Sequence, residues 1–331
     1  MNNPIHNKVA EWASLDVNEP RIGYEGILSL IDYLADNHFN YYEPTNNPNF
    51  PEFIDRLNSW IENSTDANQQ KTFFRLVPHL FYVGRDDFDS LYRSALNYNI
   101  AKWLIEKENI AFTDAAAKTK LDAALGKTWF CPITDSMRIN AFYHINSIHN
   151  GLDYRPDWRS LGVFGSQDKI KDYIQKNQIC HIVLLEDFVG SGSQMVEAAP
   201  LAQSLDIPVL FLPLIVCPMG KQEGEKLQKD FSNITFSSVI CIPDYTFVSE
   251  THVDNEPALF ADVRELIKQL HYQVCGQVSF PHYPTKPYGP FGYLETGGLV
   301  VLYSNCPDNT LPIIHQKYDT WNPLFPRSTR V

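Results

Sequence analysis

Glu186 and Asp187 follow four apolar residues, Ile182 to Leu185, and precede a loop of small residues, Gly190-Ser191-Gly192-Ser193-Gln194. An unbroken apolar run that ends in acids reads as a strand buried on both faces. In an open α/β sheet, ligands bind beyond the carboxyl ends of the strands. Gly190 and Gly192 let the backbone turn sharply and approach a ligand closely. Ser191 and Ser193 add hydroxyls. The amides from Ser191 to Gln194 fall at the start of the next helix, where they lack partners within it. A phosphate placed there meets those donors and the positive end of the helix dipole. The chemistry implied is the holding of a phosphate. The plain alternative is a strand-to-helix turn with no ligand.

Common short motifs do not account for this stretch. A Walker loop needs a Lys that does not follow Gly192, and a dinucleotide fingerprint needs Gly where Met195 stands. Ser191 has no G-x-S-x-G setting, which argues against a serine hydrolase.

An acid pair, three spacers and a small turn opening a helix resemble the phosphoribosyl-diphosphate (PRPP) motif of type I phosphoribosyltransferases. That family pattern is a hydrophobic strand, two acids, two or three residues, then Thr-Gly-x-Thr. The resemblance implies that Glu186 and Asp187 hold the ribose hydroxyls and are the catalytic acids. It implies that Gly190, Ser191, Gly192, Ser193 and Gln194 hold the 5-phosphate, and that Mg2+ is carried by the diphosphate. Transfer at the anomeric carbon builds oxocarbenium charge, which fixed carboxylates favour. Two positions depart from the pattern. Gln194 stands for the final Thr, and Gly190 stands where the purine-salvage branch has a proton-transferring Asp.

The chain's end adds a second resemblance. "GGLVVLYSNCPDNTLPIIH" followed by "DTWNPLFPR", with "DFVGSG" at Asp187 to Gly192, is similar to the PRTase-CE group of bacterial conflict and antiviral systems. It covers the chain from about residue 50 onward. It implies an α/β fold with a Rossmann-like parallel sheet of the type I phosphoribosyltransferase kind. Two functions stay open under it. One is an enzyme acting on PRPP or a related ribose phosphate. The other is a non-catalytic module that senses a nucleotide or PRPP and signals to a protein partner from the same defence operon.

Other residues carry two readings each. In "TDSMR", Thr134 to Arg138, either Asp135 or Ser136 suits a helix N-cap. The sharper reading makes this stretch a second wall of the pocket, with Asp135 and Arg138 as its candidate site residues and Arg138 meeting diphosphate charge. Asn309 and Thr310 follow the last strand and either line the same crevice or form a turn. Trp321, Leu324 and Phe325 read as packing residues of the tail. His144 and His149 are five apart, which does not present both to one metal.

The elements that must position these residues show in the periodicity. Apolar residues three and four apart make "YEGILSLIDYLAD", "FIDRLNSWIEN" and "DDFDSLYRSALNYNIAKWLIEK" amphipathic helices. After Gly126 the texture changes to strands alternating with helices, the pattern of βαβ units and a parallel sheet. The strand segments are "TWFCP", "ICHIVLLEDF", "PVLFLPLIV", "TFSSVICI" and "GLVVLYSN"; the Pro-, Gly- and Tyr-rich stretch before the last reads as loop. The expected organisation is therefore a helical N-terminal domain over 1–126 and an α/β domain over 127–331.

Composition narrows the partners. The 331 residues are 44% hydrophobic with a formal net charge of −12. That is enough for a large core and leaves no broad basic surface for nucleic acid. Six cysteines without a CxxC pair fit reduced thiols in a cytoplasm. The beginning has no apolar signal core, and the longest apolar run holds three prolines and is too short for a membrane span.

Overall fold

The computed structural model describes residues 4–15, 23–47, 49–148, 158, 167–276 and 288–328. The fold is mixed α/β with a parallel central sheet. The chain divides into two compact units, Met1–Arg85 with Asp244–Val331, and Asp86–Pro243. Nine strands are described: β1 Phe81–Val83, β2 Thr128–Pro132, β3 His181–Val189, β4 Val209–Val216, β5 Ile234–Phe236, β6 Ile240–Cys241, β7 Tyr288–Gly289, β8 Gly292–Tyr293 and β9 Val300–Leu302.

The unit Asp86–Pro243 holds the central sheet, in the order β2-β3-β4-β5, with β6 also on β4 and every pair parallel. Its two middle strands, HIVLLEDFV and VLFLPLIV, are buried at every position. Such runs lack the polar alternation of a half-exposed strand, and both their faces need cover. Parallel neighbours also require crossovers, which the helices Gln167–Lys176, Ser193–Gln203 and Pro218–Asp230 supply. Ile170 and Ile174 from the first, and Met195, Ala199 and Ala202 from the second, pack with Ile182, Leu184 and Phe211 of the sheet. At about 25 cal/mol per Å² of apolar surface removed from water, such side chains each contribute roughly 1–3 kcal/mol.

The segment "TFSSVICI", expected as one strand, forms two. β5 and β6 both lie on β4, with two serines between them. The gap lies opposite Pro213 of β4, which has no N–H to return to the ladder, and Asn99 meets the chain there. Asn99 sits in a π-helical turn, Ala95–Ile100, and donates to Ser237 Oγ at 2.9 Å and to the Ser238 carbonyl at 3.1 Å.

In the other unit, the helices Pro4–Leu15, Tyr24–Asn37, Phe53–Ile61, Ala67–Leu76 and Leu259–Cys275 bury their apolar faces in one core. The tail closes it. Phe325 is fully buried, with its ring 5.3 Å from Phe39, 5.2 Å from Tyr42 and 5.4 Å from Phe53. Trp60 and Trp321 both donate their indole N–H to the Ile313 carbonyl, at 2.6 and 3.2 Å. The segment "GLVVLYSN" forms β9, which pairs parallel with β1 and lies outside the central sheet. Part of the Pro-, Gly- and Tyr-rich stretch lies outside the described residues. Its end forms the short hairpin β7–β8.

These units divide the chain differently from a single boundary at 126. Residues 86–126 belong with the sheet: Glu108, for example, meets His181 at the start of β3 at 3.0 Å. The chain after Pro243 belongs with the N-terminal helices. Helical texture is a local property, whereas membership of a compact unit depends on contacts far apart in sequence. Among the described residues, no helix is long and apolar enough to cross a membrane.

Candidate functional site

Strand register builds the site. Pro132 of β2 stands beside Leu185 of β3, so the chain leaving β2 runs past Glu186. The Ile133 amide donates to the Leu185 carbonyl at 2.8 Å, and the Thr134 amide donates to Glu186 Oε2 at 2.8 Å. The Thr134 hydroxyl makes a short hydrogen bond with Glu186 Oε1. Ser136 Oγ lies 2.7 Å from Glu186 Oε1 and 3.0 Å from Asp187 Oδ1. Asp187 Oδ1 also accepts from the Phe188 amide at 2.8 Å.

The two acids are not equivalent. Glu186 has no exposed surface, whereas Asp187 is 8% exposed. Burial pushes the Glu186 carboxyl well above the usual carboxylate range, and the neighbouring Asp187 charge pushes it further. The hydrogen bonds from Thr134 and Ser136 oppose this without reversing it.

The loop follows at once. Gly192 has φ 85° and ψ −2°, a left-handed conformation, and the helix Ser193–Gln203 starts at the next residue. Only glycine adopts that conformation without strain. A Cβ there would also lie 2.9 Å from Glu223 Cβ. The neighbouring helix Pro218–Asp230 braces the loop. The Cys217 amide donates to the Val189 carbonyl and the Gly220 amide to the Gly190 carbonyl, both at 2.9 Å. Gly220 is needed for this approach, since a Cβ would come within 2.8 Å of the Gly190 oxygen. The Val196 amide closes the first helical turn on the Gly192 carbonyl at 3.1 Å. The amides just before it lack acceptors within the helix. Ser191 Oγ and Ser193 Oγ stand 3.3 Å apart beside them. The result is a set of donors next to a carboxylate at the ends of parallel strands, suited to an anion joined to a hydroxyl-bearing group.

Glu186, Asp187, Gly190, Ser191, Gly192, Ser193 and Gln194 thus share one strand–loop–helix passage. The Gln194 side chain is exposed. Asp135 and Arg138 are exposed on the adjoining loop. That loop corrects the capping expectation. The next helix is Ile139–Ile145 with Arg138 at its N-cap, so neither Asp135 nor Ser136 caps it. Ser136 turns its hydroxyl to the acids instead. Asn309 and Thr310 lie in the unit without the central sheet, and the strand they follow, β9, pairs with β1. Both are buried in turn structure, where Asn309 Nδ2 donates to Thr296 Oγ1 at 2.9 Å and Thr310 Oγ1 donates to the Val300 carbonyl. His149 lies outside the described residues. Among the described residues, no group of three or more His, Cys, Asp or Glu is placed to hold a metal ion.

Sequence reasoning placed the Thr134–Arg138 stretch at the pocket but missed the bonds of Thr134 and Ser136 to the acids, and missed Gly220. The first two had a signal, polar residues directly after a fully apolar strand, but their target emerges only from the β2–β3 register. Gly220 had none, because its role lies in contact with a loop thirty residues earlier in the chain.

A parallel sheet with a glycine turn and paired acids at its strand ends defines an α/β protein with a candidate anion site at those strand ends. The match to the PRTase-CE family extends over residues 57–327, most of the chain, which belongs to that family. No curated protein and no solved structure matches it.

Proposed function

We propose that the crevice at the end of β3 binds PRPP or a related ribose phosphate and acts at its anomeric carbon, in bacterial antiviral defence. The observation that supports this most is the left-handed Gly192 turn, which opens a helix directly beside the acid pair. The amides of Ser191 to Gln194 and the Ser191 and Ser193 hydroxyls hold the 5-phosphate. The acid pair holds the ribose hydroxyls, Asp187 from the rim and Glu186 from behind it, and favours positive charge on the ring as the bond to the leaving group breaks. Arg138 meets diphosphate charge from the adjoining loop, with Asp135 beside it. Both Glu186 oxygens already accept from protein donors, so the acid pair is a poor cage for a bare cation. Magnesium would arrive on the diphosphate and neutralise its charge.

Phosphorus NMR of the protein with PRPP and magnesium tests this reading. Diphosphate appears with the wild type and not with Asp187→Asn. If PRPP neither binds nor turns over, the reading is wrong. A second reading has its own observation: Gly190 stands where a proton-transferring acid would help. Under it the same crevice senses PRPP or a nucleotide and signals to a partner protein of the defence operon in the cytoplasm. Binding without turnover across a panel of acceptor bases selects that alternative.

A further inference from the structure

Four oxygen atoms crowd behind the strand end: Thr134 Oγ1, Ser136 Oγ, Glu186 Oε1 and Asp187 Oδ1. They make four close approaches. Thr134 with Glu186 is the shortest, Thr134–Ser136 and Ser136–Glu186 are both 2.7 Å, and Ser136–Asp187 is 3.0 Å. Each O···O hydrogen bond needs its own proton, and each hydroxyl has one to donate. With both acids ionised, two of the four approaches would set lone pairs against each other beside a Glu186 side chain that has no exposed surface. Two like charges sharing such a site also resist ionising together.

One further proton reduces the conflict to a single approach, that of Ser136 Oγ to Glu186 Oε1. Glu186 O–H donates to Thr134, Thr134 O–H to Ser136, and Ser136 O–H to the Asp187 carboxylate. Glu186 takes that proton because none of its surface reaches water, where a charge would be solvated. Its Oε2 then serves as the carbonyl oxygen that accepts the Thr134 amide. Asp187 keeps its charge, because it lies at the rim and accepts a backbone amide as well as the Ser136 hydroxyl.

We propose that Thr134 and Ser136 are positioning residues that bind Glu186 and Asp187 into one unit holding a single proton, with Asp187 presenting the charge to the ligand. Glu186 then acts through the two hydroxyls and does not touch the sugar. The consequence for ligand binding rests on the ribose-phosphate reading; the shared proton does not.

Two measurements separate them. In infrared difference spectra of the ligand-free protein at neutral pH, wild type shows the carbonyl stretch of a protonated carboxylic acid, and Glu186→Gln lacks it. In calorimetric titration with PRPP and magnesium, Glu186→Gln loses less affinity than Asp187→Asn, because Gln is neutral and donates as the protonated acid does. Ser136→Ala and Thr134→Val each lose about tenfold, the worth of one hydrogen bond to a charged network. Asp187→Asn loses more than either, and Ser136→Thr restores binding. Circular dichroism confirms that each variant is folded. Absence of the carboxylic-acid band in wild type overturns the proposal, as does a Glu186→Gln loss equal to that of Asp187→Asn. If wild type fails to bind PRPP, the ribose-phosphate reading falls while the infrared band still decides the shared proton.

Discussion

Glu186 and Glu256 are both taken out of water, and their carboxyls move in opposite directions. Glu256, in the unit without the central sheet, has a side chain only 3% exposed. Arg264 Nη2 donates to its two oxygens at 2.9 and 2.8 Å, His252 Nδ1 lies 2.9 Å away, and the Val253 amide donates at 3.1 Å. Burial pushes this carboxyl up, but the hydrogen bonds from Arg264, His252 and Val253 outweigh it and hold the pKa at about 2. Glu186 meets hydroxyls, one amide and a second acid, so burial and like charge prevail. Burial alone does not set the sign; the charge of the partner does. The Glu256 arrangement ties the 249–256 segment to a helix, since Arg264 also donates to the Ser249 carbonyl at 2.6 Å. The Glu186 arrangement pushes a carboxyl above its ordinary range, a perturbation found more often at sites of binding and catalysis than in pure scaffolding.

The most damaging way to break this contrast is to remove the cation. Arg264→Ala leaves the Glu256 carboxylate buried without its partner and is expected to lower unfolding free energy by about 3 kcal/mol, measured in urea. A loss well under about 1 kcal/mol would mean that the ion pair is not what separates the two acids. Gly220→Ala comes next. Its Cβ would press on the backbone of Val189 and Gly190, and the overpacking costs about 2 kcal/mol along with affinity for the anion.

The pH slopes sharpen the contrast at smaller amplitude. Glu186 has a folded pKa above its unfolded value near 4.5, so the native state binds the extra proton. Its contribution to stability therefore falls as pH rises from about 4.5 toward the folded pKa. Glu186→Gln does not titrate and is expected to be more stable than wild type at pH 8, by on the order of 1 kcal/mol, with the gap gone by pH 4. Glu256 runs the other way. Its contribution is present above 4.5 and is lost as pH falls through about 2, so Glu256→Gln flattens the acid limb of the stability curve. Denaturation series across pH check both slopes. The smallest effect belongs to Lys118→Ala. The Lys118–Asp122 pair lies at 2.8 Å but is 86% and 56% exposed, and its loss is expected to change stability by less than about 0.5 kcal/mol.

Much of the sheet was legible in the residues. Uninterrupted apolar runs such as Ile182 to Leu185 and Val209 to Leu212 announce strands buried on both faces, and the helical segments between them announce parallel connections. The turn at Gly192 was legible too, because the strand-to-helix passage calls for a residue free to take positive φ. Other features depended on partners far away in sequence. The serines between the two halves of "TFSSVICI" are met by Asn99. The strand before Asn309 and Thr310 pairs with β1, so those residues serve a turn in a different unit from the acid pair. Ser136 looked like a helix cap because a Ser shortly before an apolar helical pattern usually is one. Its hydroxyl is used elsewhere because β2 and β3 align Pro132 with Leu185.

The sequence by itself determined the secondary elements around the acid pair and the loop chemistry that follows, since both depend on local periodicity and backbone freedom. Tertiary structure alone decided which strand stands beside Glu186, and hence that Thr134 and Ser136 close over it. It also decided that one acid of the pair is shut from water while the other reaches the rim. Those outcomes depend on register and burial, which are properties of the packed sheet and not of any single stretch of chain.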